Sequence, residues 1–188
     1  MIHLYITRHG ETIENAGKIL QGHLPGHLSP LGISQAEMLC LQLVDIRFDC
    51  MIASTLQRAI DTAHILNRPH HLPVYTTDLL RERDWGSFTG KRIADIRVQP
   101  ADFPADVENP EQLQRRAHAF LEYLLKNFDG QTVLAVGHGY FNRCILAEFY
   151  GTTPHDIPRW GNTEVRTILL DRLRTSSASA SDSGASAD

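Results

Sequence analysis

The sequence predicts an α/β protein, a three-layer α/β/α sandwich around a mostly parallel central sheet. Short apolar segments of strand length, near residues 2–8, 49–53, 132–136 and 164–170, are separated by longer stretches with helical periodicity. That alternation is the pattern of helices packed on a parallel sheet. Two of these segments run into a histidine followed by glycine, in Arg8-His9-Gly10 and in Gly137-His138-Gly139. Ligands of open α/β sheets bind beyond the carboxyl ends of strands, so both histidines fall where chemistry is expected. The chain has 188 residues, 42% apolar and 21% charged, which suits one globular domain with a sizeable core.

Composition narrows the function classes. The 18 basic and 22 acidic residues give a net charge of −4, with no basic footprint for nucleic acid. The first apolar run is short and broken by Arg8, so neither a signal peptide nor a membrane span is expected. Cys40, Cys50 and Cys144 are odd in number and widely spaced. Free thiols in a reducing cytoplasm fit them better than a disulfide framework.

Taken in order, Ile2, Leu4 and Ile6 alternate with His3, Tyr5 and Thr7 as a strand does. The connection from Gly10 to Ser29 is longer than most strand-to-helix loops, a length that often marks function. Ser29 can cap a helix with Pro30 at its first position, and Ile33, Ala36, Cys40, Leu43 and Val44 give that helix an apolar stripe. A buried strand at 49–53 leads into a helix over 55–67 that should bury Leu56, Ile60, Ala63 and Leu66. Arg58 lies in its first turn, where the macrodipole disfavours a cation. Such local conflicts are expected at functional sites.

A short strand at 74–77 precedes a loop carrying Arg81, Glu82, Arg83, Asp84 and Trp85. A short helix is expected over 91–98, followed by an irregular segment with Pro100 and Pro104. Asn109-Pro110 should start a long helix with Leu113, Ala117, Phe120, Leu121, Leu124 and Phe128 on one face, ending near Gly130. Helix 140–150 follows the second His-Gly pair, and the last strand lies near 164–170. Residues 1–174 are expected to form the domain. Residues 175–188, all Thr, Ser, Ala, Asp and Gly, cannot bury a core and are expected to be disordered.

Several segments together resemble the histidine phosphatase superfamily, the phosphoglycerate mutase-like fold. They are Arg8-His9-Gly10-Glu11-Thr12 with Asn15, then Gly22-His23-Leu24-Pro25 and Ser29-Pro30-Leu31-Gly32. The resemblance continues in Ala53-Ser54-Thr55-Leu56-Gln57-Arg58-Ala59, Leu80-Arg81-Glu82-Arg83-Asp84-Trp85-Gly86 and Val136-Gly137-His138-Gly139. They occur in the family's order across roughly residues 1–172.

The resemblance implies a phosphatase that acts on a small phosphorylated metabolite through a phosphohistidine. His9 would be the nucleophile, with Arg8, Arg58 and His138 around the phosphoryl oxygens. A guanidinium offers a fixed fork of donors suited to phosphate. These cations can supply the neutralisation often left to a metal, so no metal or cofactor is expected. Glu82 matches the family's acid-base position, with Asp84 as a rival. Asn15, Gln21, Gly22, Trp85, Gly139 and Tyr140 are candidates for contacting substrate. His23 and His27 are separated by Pro25-Gly26, and His70-His71 are adjacent, so neither pair has the spacing of a metal site.

Three positions depart from the family pattern. Gly137 precedes the second histidine where many members have Ser, Pro25 replaces the common Asp of the first loop, and Thr89-Gly90 replaces Glu-Gly. None removes a catalytic group. Two rival readings use the same residues: a cofactor-dependent phosphoglycerate mutase, and a non-catalytic phospholigand-binding protein. The mutase needs a longer excursion after the acid loop, and Arg115 and Arg116 fall in a predicted helix instead.

Overall fold

The computed structural model describes residues 1–173; the expected disordered tail lies outside them. Strands β1 (Ile2–Arg8), β2 (Cys50–Ser54), β3 (Val74–Thr77), β4 (Thr132–Gly137) and β5 (Val165–Leu170) form one sheet in the order β3-β2-β4-β1-β5. The β1–β4, β2–β4 and β2–β3 pairs are parallel, and only β5 runs antiparallel, beside β1. The carboxyl ends of β1, β2, β3 and β4 therefore share one edge.

Five helices accompany the sheet: α1 (Ile13–Ala16), α2 (Pro30–Leu43), α3 (Gln57–Leu66), α4 (Pro110–Asn127) and α5 (Gly139–Tyr150). Alternate strand side chains enter opposite cores, as a period of two requires. Ile52, Val133 and Ala135 pack with the buried faces of α4 and α5. Met51, Ala53, Leu134 and Val136 pack with α2 and α3. The result is the expected three layers. No helix among the described residues is long and apolar enough to cross a membrane. The three cysteines are free, and burial pushes the Cys50 and Cys144 thiols up to about 11 and about 12.

Caps fix the helix starts. Ser29 accepts from the Gly32 N–H at the head of α2, and Asn109 and Gln112 form a reciprocal capping box on α4. The long first loop holds α1, a helix the sequence did not announce, capped by Thr12.

Two expectations are corrected. The buried face of α2 is Gly32, Ala36, Leu39 and Leu43, while Ile33 and Val44 are exposed. Residues 91–98 form only a 3-10 turn, Ile93–Asp95, instead of a helix. The reason lies in the first loop. Leu20 N–H donates to Lys91 O, Gly90 N–H to Leu20 O and Ile93 N–H to Lys18 O, so the groups a helix would need are already paired.

Candidate active site

Strands β1 and β4 set two imidazoles side by side. Their register pairs Arg8 with Gly137, and His9 N–H donates to Gly137 O at 3.1 Å. The buried rings of His9 and His138 meet edge to face, with centroids 5.1 Å apart. His9 Nδ1 lies 2.6 Å from Gly10 O. A carbonyl only accepts, so this contact places the proton on Nδ1 and leaves Nε2 unprotonated, its lone pair an acceptor. The Arg58 Nε–H points at that lone pair from 3.2 Å. Burial, then the charges of Arg58 and Arg8, hold the His9 pKa well below 6.5. The same causes act on His138, with burial again first.

Buried Asn142, one turn into α5, ties the two strand ends together. Its Nδ2 donates to Thr7 O and its Oδ1 accepts from His138 N–H, each at 3.1 Å. A Cβ on Gly137 would stand 2.3 Å from that Oδ1. The glycine before His138 thus has a local cause.

The neighbouring strand, β2, delivers Arg58. Its side chain is 1% exposed, and burial lowers its pKa to about 10, which leaves it charged at neutrality. The guanidinium gathers the first loop, donating to Gly22 O at 3.0 Å, to Pro25 O at 3.3 Å and to Leu24 O. The loop is held by its carbonyls here, that of Pro25 among them. Buried Gln21 lies alongside, with no partner for its Oε1.

Arg8 donates to Trp160 O at 3.0 Å and packs against Gly139, where a Cβ would come within 3.2 Å of its Nε. Burial lowers its pKa and the Glu82 carboxylate opposes that shift. Arg8 Nε and both ring nitrogens of His138 are buried without a partner among the described residues. Buried polar groups are ordinarily hydrogen-bonded, and these three lie where an anion would satisfy them.

Glu82 reaches the same place from the loop after β3. Its Oε1 accepts from Arg83 N–H at 2.9 Å and Phe141 N–H at 3.0 Å, and its Oε2 from Tyr140 N–H at 3.2 Å. The carboxylate thus sits on the first turn of α5, whose N–H groups have no helical partner. Its charge acts on both Arg8 and Arg58. Asp84, the rival, closes its own turn by accepting from Gly86 N–H at 2.9 Å.

The remaining candidates divide. Gly22, Gly139 and Gln21 border the cluster. Asn15 is spent as the capping partner of Thr12, with its side chain accepting from Thr12 N–H at 3.2 Å. Trp85 and Tyr140 wall the Arg83 guanidinium, at 4.4 and 5.7 Å from their ring centroids. His23 Nε2 lies 2.9 Å from Glu82 O, while His27 pairs with Glu14, so these histidines serve different contacts. A cavity of about 450 Å³ between α4 and α5 includes Tyr140 among its walls but not His9, Arg8, Arg58 or His138.

Three supporting residues escaped the sequence reading. Thr62 accepts from Gly10 N–H at 3.1 Å and donates to Arg58 O at 2.7 Å. Asn162 donates to His9 O at 3.0 Å. Thr62 and Asn142 each lie four residues after a site residue, a helical spacing that could have revealed them. Asn162 lies far along the chain, where no local pattern points to it.

A buried imidazole with an unprotonated Nε2, two arginines, a second imidazole and a carboxylate at a sheet's carboxyl edge define a class of phosphoryl-handling proteins. The chain belongs to the histidine phosphatase superfamily (branch 1), whose profile matches residues 4–182. A Yersinia pestis (strain Pestoides F) protein named a probable phosphoglycerate mutase, GpmB, is 29% identical over 167 residues, covering 82% of this chain and 78% of the relative. The solved structure of YhfR from Bacillus stearothermophilus superposes with a TM-score of 0.84 at 28% identity, covering 91% and 92% of the two chains. The α-ribazole phosphatase of Shigella flexneri superposes at 0.81 with 25% identity, covering 92% and 94%.

Proposed function

We propose that the chain is a phosphoric monoester hydrolase, acting on a small phosphorylated metabolite through a phosphohistidine on His9 and without a metal ion. The observation that carries this reading is the His9 ring, neutral, anchored through Nδ1 and unprotonated at Nε2, where Arg58 Nε–H donates to its lone pair, beside Arg8 Nε and His138, which find no partner among the described residues. In the first step His9 Nε2 attacks phosphorus and the bond to the ester oxygen breaks. Glu82 gives its proton to that departing oxygen. In the second step Glu82, now a carboxylate, takes a proton from water as the water attacks phosphorus. The P–N bond then breaks and His9 is restored. Arg8, Arg58 and His138 would donate to the nonbridging oxygens, where negative charge concentrates.

Hydrolysis is favoured over mutase chemistry by the segment after the acid loop. Residues 90–93 are paired with the first loop, and residues 91–99 are largely exposed. That is a short cover instead of the longer excursion a mutase would need, although one relative is named a mutase.

The test separates the roles. His9→Ala should abolish turnover and any acid-labile phosphoenzyme. Glu82→Gln should strongly slow phosphorylation by an alkyl phosphate, whose alkoxide needs a proton. With an activated aryl phosphate the first step should survive, dephosphorylation should slow and trapped phosphohistidine should rise. Wild-type turnover should persist in excess EDTA. Equal losses on both esters without accumulation would move the acid-base role away from Glu82. Loss in EDTA restored by a divalent ion would overturn the metal-free scheme.

A further inference from the structure

Arg116 lies on α4, with its side chain turned toward the acid loop. Its Nε and Nη2 grip the Glu108 carboxylate at 2.8 and 2.7 Å, with both partners mostly buried. Nη1 donates to Arg81 O at 2.6 Å and Leu79 O at 3.3 Å, and Nη2 reaches Glu82 O at 3.4 Å. The guanidinium also lies 3.7 Å from the Phe141 ring centroid. Phe141 is one of the two α5 residues whose N–H groups hold the Glu82 carboxylate. One cation thus fixes the backbone on which Glu82 is mounted and packs on a residue that receives its side chain.

Glu108 extends the grip. Its Oε2 accepts from Asp84 N–H at 3.0 Å, its carbonyl from Arg83 Nε at 2.8 Å, and its N–H donates to Asp84 O at 2.9 Å. Residues 83 and 84 are therefore zipped to the segment just ahead of α4, and the arginine bolts that zipper to the helix. A planar five-donor fork can serve a carboxylate and several carbonyls together, which an ammonium cannot.

We propose that Arg116, with Glu108, is a positioning residue that holds Glu82 where it can pass a proton to the leaving group. The proposal rests on the acid-base role given to Glu82 above. A misplacement near 1 Å can cost a proton-transfer group about 100-fold in rate. Arg116 contacts the site through the Glu82 backbone and Phe141 and reaches His138 only as a weaker, more distant charge, so its loss should matter chiefly where Glu82 matters.

The experiment compares wild type, Arg116→Gln, Glu82→Gln and the double variant on one alkyl and one aryl phosphate, following phosphorylation in single turnovers and confirming folding by thermal melts. Arg116→Gln should slow alkyl phosphorylation by about 10- to 100-fold and leave aryl phosphorylation within about threefold. In the Glu82→Gln background it should add almost nothing. Arg116→Gln leaves Glu108 buried and unpaired, so the combined Arg116→Gln/Glu108→Gln protein provides the same comparison if the single variant unfolds. Arg116→Lys should recover only part of the alkyl rate. Equal losses on both esters, or a full further loss in the Glu82→Gln background, would overturn the proposal. If Glu82→Gln itself shows no leaving-group dependence, the acid-base reading fails and the inference falls with it. That result differs from one in which Glu82→Gln discriminates between the esters and Arg116→Gln does not.

Discussion

Backbone meets backbone beside the nucleophile, at Gly10 and Gly32. A Cβ on Gly32 would stand 1.9 Å from Glu11 O and 2.7 Å from Glu11 N, and one on Gly10 would stand 2.4 Å from Gly32 O. These neighbours are main-chain atoms that cannot swing aside. Replacing a helical glycine by alanine ordinarily gains about 0.5–1 kcal/mol, but overpacking costs about 1–3 kcal/mol, so the clash should win. Gly32→Ala is expected to lose stability in urea unfolding. It should also lower kcat, because Gly10 O anchors His9 Nδ1 and would be displaced. Gly17→Ala is the control: its φ is −75° and its nearest neighbour lies 3.5 Å away, so it should stay within about 0.5 kcal/mol of wild type. A stable, active Gly32→Ala protein would refute the close approach. The site was partly legible at this scale. Arg58 was marked by its place in a first helical turn, and its burial explains that placement. Contacts such as Asn162 to His9 O join residues about 150 apart in the chain, which no local pattern announces.

Among the elements, strands and helix starts were readable because caps and alternation are local. The rotation of α2 was not. Apolar residues occur nearly all round this helix, with Leu31, Ile33, Met38 and Leu41 exposed and Ala36, Leu39 and Leu43 buried, so periodicity alone could not select a face. The Gly32 crossing with Glu11 fixes it from outside the helix. The 91–98 segment failed for a similar reason, since its partners come from residues 18–20. The corrected face makes a direct prediction. Leu39, 4% exposed, packs with Ala63, Leu66 and Leu134 in the α2/α3 core. Leu39→Ala should therefore cost about 2–5 kcal/mol. Ile33→Ala, at a residue 40% exposed, should cost far less than that. Comparable losses in denaturant unfolding would restore the stripe read from the sequence.

For the whole molecule, the sheet order gathers the site: β2, β4 and β1 are adjacent and lead to Arg58, His138 and Arg8-His9, while the loop after β3 supplies Glu82. The fold class was legible because strand and helix alternate along the chain. The strand order, which brings residue 9 beside residue 138, comes from long-range pairing. Gathering two imidazoles in a buried, cationic place has a consequence for stability. Burial first, then Arg58, hold both His9 and His138 well below 6.5. In the unfolded chain each ring titrates near 6.5. Below that pH the unfolded state binds protons that the folded state refuses, so stability must fall as pH falls. The slope is at most about 1.4 kcal/mol per pH unit for each ring. Carboxylates held low, such as Glu14, Glu164 and Asp156, contribute their losses below about pH 4.5, under the window from 6.5 to 5. The His70 ring, also lowered by burial, acts in the same direction and is common to wild type and variant. Urea unfolding at several pH values from 7 to 5, in a buffer that does not bind as phosphate does, should show declining stability. His138→Asn should make that decline shallower by one ring's share. A slope unchanged by the substitution, or stability that rises on acidification, would show that the folded protein admits a proton at this site.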